Sequence, residues 1–459
     1  MTQRKMPKDL FWGNSVSSVQ TEGAWNVDGK GLSVYDVRKA TSTSSDWHDA
    51  IDEYHRYEED LDLMADMHMN MYRIQISWSR VVPDGDGEFN QEGIAYYDRV
   101  VDAMISRGIT PMICLYHFDM PLALANNENG FMSRHTVDAF VRYAKAMIDH
   151  FGDRVKYWLT FNEHNLYFTD EAFHIAGYTS GDQSVNDLYT IFHHTMLAHA
   201  KVAAYVHQQF TDVKIGGMLA YTPIYPATSK PNDVLAAQQY DEFVYQNLNE
   251  VYATGHYSSE VMTYIQNHDI KFDWQVEDES TLAAMKTDFL AFSYYRTGTI
   301  NADKLPQNLV PNRYLNVAFE QNRFLESNAW DWSIDPTGFR LAITDLYNRY
   351  HIPVFPVENG IGIDEQWDGE HEIQDDLRIQ YHRDHIRAMK DAMFEDGAQV
   401  LGYLGWGLID IPSSHGDMRK RYGAVYVNRT NIELRDMKRV PKKSFYWFQQ
   451  ILSENGDEL

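Results

Sequence analysis

Two glutamates stand where short apolar runs end, each beside an asparagine: Thr160-Phe161-Asn162-Glu163 and Val357-Glu358-Asn359-Gly360. A carboxyl pair suits chemistry at an acetal carbon. One group protonates the departing oxygen while the other attacks the anomeric carbon or activates water against it. A retaining double displacement needs the two to face each other across about 5 Å, on rigid supports. They lie far apart along the chain, so the fold must bring them together.

Eight runs rich in apolar, β-branched or aromatic residues read as strands: 10–16, 71–78, 110–117, 157–162, 215–220, 289–295, 354–358 and 401–409. Amphipathic helical patterns separate them, such as Tyr54, Tyr57, Leu61 and Met64, then Val137, Phe140, Val141, Ala144, Met147, Ile148 and Phe151. A third runs through Phe339, Ile343, Leu346, Tyr347 and Tyr350, where Asp335 and Pro336 read as an N-cap followed by proline in the first turn. No glycine-rich GxGxxG turn follows the first strand, which disfavours an open dinucleotide-binding sheet. The alternation predicts an α/β protein with one catalytic domain over residues 1–459, a single (β/α)8 TIM barrel. Its catalytic groups would sit at the C-terminal strand ends, with strands four and seven opposing Glu163 to Glu358. The polar, weakly periodic stretches 301–327 and 364–376 are expected as long loops on that face.

A net charge of −26 repels nucleic acid and anionic membranes over most of the surface. No stretch approaches the roughly 18 apolar residues of a membrane helix, and the opening MTQRKMPKDLFWG has no apolar signal-peptide core. The expectation is a cytoplasmic protein with neither a nucleic-acid nor a membrane partner; a homo-oligomer stays open. Cys114 is the single cysteine, so no intramolecular disulfide forms and a buried thiol is expected. The pairs His193-His194 and His48 with His55 match no ligand spacing, and no metal or cofactor is expected. An anionic substrate would need a local cationic pocket in so acidic a chain.

From about Leu10 onward the chain resembles glycoside hydrolase family one, the β-glucosidases and phospho-β-glucosidases. The likeness is carried by FWGNSVSSVQTEGAW (11–25), YRIQISWSRVVP (72–83), LYHFDMPLAL (115–124), TFNEHN (160–165), DFLAFSYY (288–295), WDWSIDPTGFR (330–340), VENG (357–360) and GYLGWGLID (402–410). It implies Glu163 as general acid/base and Glu358 as nucleophile. It further implies Arg73 as the arginine that pairs with Glu358 and lowers its pKa, Tyr295 as the tyrosine that orients it, and Asn162 as a donor to the sugar 2-hydroxyl. Gln20, His117 and Trp406 match sugar-contacting positions, and Trp332 the platform on the aglycone side. Glu163 has to be protonated to act first as an acid, so a drier setting with a raised pKa is expected. Three departures from the family pattern bear on the acid and the sugar wall: His164, Phe118 and Ser293.

Specificity turns on IPSSHGDMRKRYG (411–423). Ser413 stands where plain β-glucosidases carry a glutamate, and a carboxylate there would oppose a phosphate dianion. Lys420 and Tyr422 reproduce the K-x-Y pattern of the phospho-glycosidases, so an ammonium, a hydroxyl and a phenol would form a phosphate cradle. Ser414 replaces a tryptophan of plain glucosidases and phospho-β-galactosidases, which favours the gluco epimer. The resemblance thus implies a retaining 6-phospho-β-glucosidase acting on a phosphorylated β-glucoside. The alternatives are a 6-phospho-β-galactosidase or dual-specificity enzyme, a plain β-glucosidase and, in a different class, a non-catalytic sugar-phosphate sensor.

Overall fold

The computed structural model describes residues 5–459; residues 1–4 of the expected domain span, and that part of the leader reading, lie outside it. The eight strands form as β1 (Phe11–Ser15), β2 (Met71–Gln75), β3 (Thr110–Tyr116), β4 (Tyr157–Phe161), β5 (Lys214–Ala220), β6 (Phe289–Tyr294), β7 (Val354–Asn359) and β8 (Gly402–Trp406). Each pairs in parallel with its neighbours in chain order, and β8 closes on β1 to complete a TIM barrel. The last run ends three residues earlier than expected, because Gly407 takes a left-handed φ of 57° that leaves the ladder. The second run also stops short, as Trp78 opens a short helix, Trp78–Val81. In both places apolar character continues because the side chains stay buried without joining the sheet: Trp78, Leu408 and Ile409 belong to the outer core.

Two apolar shells result from the alternation of side chains along each strand. Met71, Met112, Cys114, Leu159, Met218, Phe289, Ala291, Phe355, Val357 and Leu404 fill the barrel interior. The outward residues pack against helices such as Glu53–Asp66, Arg134–Phe151 and Pro336–Tyr350, the three anticipated from periodicity. Asp335 caps the last of these, accepting from the Gly338 amide at 2.8 Å. The stretches 301–327 and 364–376 follow β6 and β7 and therefore emerge on the face of the C-terminal strand ends.

The register between β6 and β7 slips once. Phe292 pairs with Pro356, yet Ser293 pairs with Glu358, so Val357 is the extra residue of a β-bulge. Neighbours in register point the same way. Without the bulge, Phe355 and Val357 would face inward and Glu358 outward; with it, Glu358 shares the interior with Ser293.

Candidate active site

One cavity at the mouth of the barrel is lined by Glu163, Glu358, Asn162, Gln20, His117, Tyr295, Trp332, Trp406 and Tyr422, joined by Val19, Tyr35, Trp47, Phe118 and Ser414. Eleven residues singled out from sequence, these nine with Phe118 and Ser414, therefore meet in one place, coming from the ends of β1, β3, β4, β6, β7 and β8 and the loops after them. Sequence reasoning missed Tyr35 and Trp47, which meet edge-on at 5.0 Å. Nothing in their local pattern distinguishes them from core aromatics.

Arg73 is the structural hub. It is fully buried on β2, and its Nη1 donates to Glu358 Oε1 at 2.5 Å and to Ser15 Oγ at 2.9 Å. Its Nη2 donates to Asn162 Oδ1 at 2.6 Å. That last bond fixes the Asn162 amide with its oxygen inward, leaving Nδ2 as the donor for a ligand. The Tyr295 hydroxyl donates to the other oxygen, Glu358 Oε2, at 2.8 Å. Glu358 is thus held by both oxygens.

Burial pushes the Glu358 carboxyl up from the ordinary value of 4.5, while Arg73 and Tyr295 pull it back. Arg73 pulls the Glu358 carboxyl down, but desolvation at 2% exposure outweighs the guanidinium, so the net direction is upward. Glu163 has no guanidinium bonded to it. Burial first, and the charge of Glu358 second, push it up to about 8, with Ser293 and Arg73 opposing. Ser293 donates to Glu163 Oε1. Burial thus pushes both carboxyls up, and only Glu358 has a guanidinium and a phenol bonded to its oxygens to oppose that.

Glu163 follows β4 with φ 43° and ψ 53°, a left-handed conformation few non-glycine residues adopt. Strain of this kind costs on the order of 1 kcal/mol and persists where the surroundings enforce it. Behind it, His164 is buried with Nδ1 on the Tyr252 hydroxyl at 2.7 Å. Ionising Glu163 inside the fold is unfavourable. Its stabilising contribution is complete below pH 4.5, the ordinary value, and is lost as pH rises through about 8. Glu163→Gln should remove that dependence, so the variant's Tm advantage over wild type should widen by roughly 2 to 4 °C between pH 5 and pH 9. Calorimetric scans at the two pH values check this, and a constant gap would contradict it.

His117 lines the cavity as a neutral imidazole: burial, then Arg73, hold its pKa well below the usual range. Its ring lies 5.6 Å from that of Trp406. Gln20 is oriented at both ends, accepting from Ser17 Oγ at 2.6 Å and donating to the Pro412 carbonyl at 2.8 Å. That second bond ties the loop after β1 to the loop carrying Ser413.

The predicted anion loop is less uniform. Tyr422 and Ser414 line the cavity, whereas Ser413 and Lys420 are not among its lining residues. Ser413 Oγ accepts from the Asp417 amide at 3.1 Å, so its O–H remains free to donate. Lys420 is set by a two-residue antiparallel pairing, Asp364 with Lys420 and Ile363 with Arg421. Its stem crosses Gly362 so closely that a Cβ there would lie 2.6 Å from Lys420 Cγ, so any larger residue would force the lysine stem to move. The ammonium sits 3.3 Å from the centroid of Trp332. Arg419 pairs with Asp417 at 2.7 Å and Arg421 with Asp410 at 2.9 Å; Lys420, between them, has no carboxylate partner among the described residues. Burial, then Arg296, bring its pKa down to about 8.

His193 and His194 are occupied by Asp278 and Asp273, and among the described residues no three metal-ligating side chains converge. Cys114 is buried in the barrel interior beneath Arg73, its thiol on the Tyr116 carbonyl.

The family model for glycosyl hydrolase family 1 matches residues 2–457. The chain is 37% identical to the aryl-phospho-β-D-glucosidase BglH of Bacillus subtilis (strain 168), covering 100% of this chain and 99% of that protein. It is 36% identical to a 6-phospho-β-glucosidase of Dickeya chrysanthemi, covering 99% and 98%. Among solved structures, the family 1 β-glucosidase of Thermotoga maritima superposes with a TM-score of 0.88 at 28% identity, covering 99% of both chains. A closed barrel with a paired-carboxylate cavity at its mouth and a full-length family match make this chain a glycoside hydrolase, a member of glycosyl hydrolase family 1.

Proposed function

We propose that the protein is a retaining 6-phospho-β-glucosidase, releasing glucose 6-phosphate from a phosphorylated β-glucoside. The observation that carries the phosphate is Lys420: of three consecutive cations, only this one lacks a carboxylate partner among the described residues, and its ammonium rests on Trp332, which lines the cavity. The names of the full-length relatives agree with that reading.

In the first step Glu163 gives its proton to the glycosidic oxygen as Glu358 attacks the anomeric carbon. The aglycone leaves as an alcohol, and a covalent glycosyl-enzyme forms with inverted configuration. Loss of the Glu358 charge removes one of the causes holding Glu163 up. Glu163 then deprotonates a water that attacks the same carbon, and the second inversion restores the β configuration. Asn162 Nδ2 donates to the 2-hydroxyl, a contact that strengthens as the oxocarbenium-like state develops. Ser413, Lys420 and Tyr422 hold the phosphate, while Gln20, His117 and Trp406 hold the ring and Trp332 the aglycone. A phosphorylated substrate is retained inside cells, so we place this work in the cytoplasm, within one catalytic domain spanning residues 1–459 and without nucleic acid or membrane as partner.

Rates with 4-nitrophenyl β-glucoside, its 6-phosphate and the galacto 6-phosphate test the proposal. The gluco 6-phosphate should lead in kcat/KM by at least roughly 100-fold over the plain glucoside. Preference for the galacto epimer would point to Ser414 being misread, and preference for the plain sugar would overturn the phosphate reading altogether.

A further inference from the structure

Arg296 was not marked by any motif, yet its surroundings are unusual. It follows Tyr295 directly, is half-buried, and its guanidinium carbon lies 5.1 Å from the centroid of the Trp332 ring. That is the indole against which Lys420 rests at 3.3 Å. Trp332 in turn lies 5.6 Å from Tyr295, and Tyr295 lies 6.0 Å from Tyr422, ring to ring. No ion pair or hydrogen bond joins Arg296 to a carboxylate among the described residues. The acidic groups around it are phenols only, those of Tyr240, Tyr245 and Tyr422.

Two cations against one indole, neither with a counter-ion, in a chain of net charge −26, form a costly arrangement. They repel each other, and Arg296 is the main charge pulling the Lys420 pKa down. Sixty-six acidic residues are available, yet none pairs with either cation among the described residues; Asp417, already paired with Arg419, only partly offsets the charge of Arg296 on Lys420. An anion entering beside them would supply the missing charge. A phosphate dianion suits the set, because a guanidinium offers two parallel N–H donors and an ammonium a third centre.

We propose that Arg296 is a specificity-determining residue that, with Lys420, clamps the 6-phosphate of the substrate from the Trp332 side of the cavity. This rests on the 6-phospho-β-glucosidase reading and extends it from one loop to two, since Arg296 comes from the end of β6 and Lys420 from the loop after β8. The π system of Trp332 attracts both cations and helps hold them near each other. The clamp adds discrimination that the 411–423 segment alone does not supply.

The test is the ratio of kcat/KM for 4-nitrophenyl β-glucoside 6-phosphate to that for the plain glucoside, in wild type, Arg296→Met and Arg296→Lys. Arg296→Met should lower this ratio roughly 10- to 100-fold, mainly through KM. Arg296→Lys should recover much of it, because the charge is kept. Competitive inhibition by glucose 6-phosphate should weaken in parallel with the ratio, while inhibition by glucose should not. An equal loss on both substrates would assign Arg296 a structural role and overturn the clamp. So would a loss that follows a charged aglycone in place of the 6-phosphate. A wild-type ratio near one would instead overturn the phosphate reading itself, so the two failures are told apart by the wild-type measurement.

Discussion

Glu358→Gln should lose turnover by roughly 10⁵-fold while glucose 6-phosphate still binds. The amide preserves the shape at β7 and one acceptor for Arg73, but it is not a nucleophile. Binding by titration calorimetry beside the rate measurement separates lost chemistry from a lost fold. A smaller residue at the same position, Glu358→Ala, opens room for an external anion. Azide should then restore part of the rate and give a sugar azide of α configuration, because only one displacement remains. The same substitution removes the charge that helps hold Glu163 up, so the Glu163 carboxyl should titrate below its wild-type value of about 8. Normal activity in Glu358→Gln, or a β-configured azide product, would refute the assignment of the nucleophile.

The second large effect lies at Lys420. Lys420→Met should reduce kcat/KM for the gluco 6-phosphate roughly 100-fold more than for the plain glucoside, since an ammonium facing a dianion forms one of the stronger hydrogen bonds available. Its pH signature is equally diagnostic. Above pH 8 Glu163 loses the proton it must donate, and Lys420 loses the one that makes it cationic. For the phosphorylated substrate, kcat/KM should therefore fall with the loss of two protons, and for the plain glucoside with the loss of one. On the acid side both should fall as Glu358 is protonated, at a pH above the ordinary carboxylate value of 4.5. Lys420→Arg should return the alkaline limb for the phosphorylated substrate to one proton. Identical limbs for both substrates in wild type would show that Lys420 does not face the phosphate.

Much of this molecule is legible along the chain. Strands alternate with helices because a half-buried strand and an amphipathic helix each leave a local period in the sequence, and Asp335-Pro336 announces a helix start within two residues. Glu163 and Glu358 stand out as strand-end carboxylates beside asparagines, and the contiguous motifs of the family resemblance point to their roles. Tyr35, Trp47 and Arg296 were invisible for the opposite reason: each carries its meaning only through neighbours supplied by other segments.

What sequence by itself determined is the order of elements and the barrel they close, which follow from local pattern and residue type; the roles expected of the carboxylate pair came with the family resemblance. Tertiary structure alone decided that Glu358 faces inward, because a single extra residue at Val357 resets the alternation of β7 against β6. It also decided that burial, not Arg73, dominates the Glu358 carboxyl, and that two unmatched cations from separate loops share Trp332. Register, desolvation and the meeting of distant charges are properties of the whole packed chain; no short stretch of residues contains them.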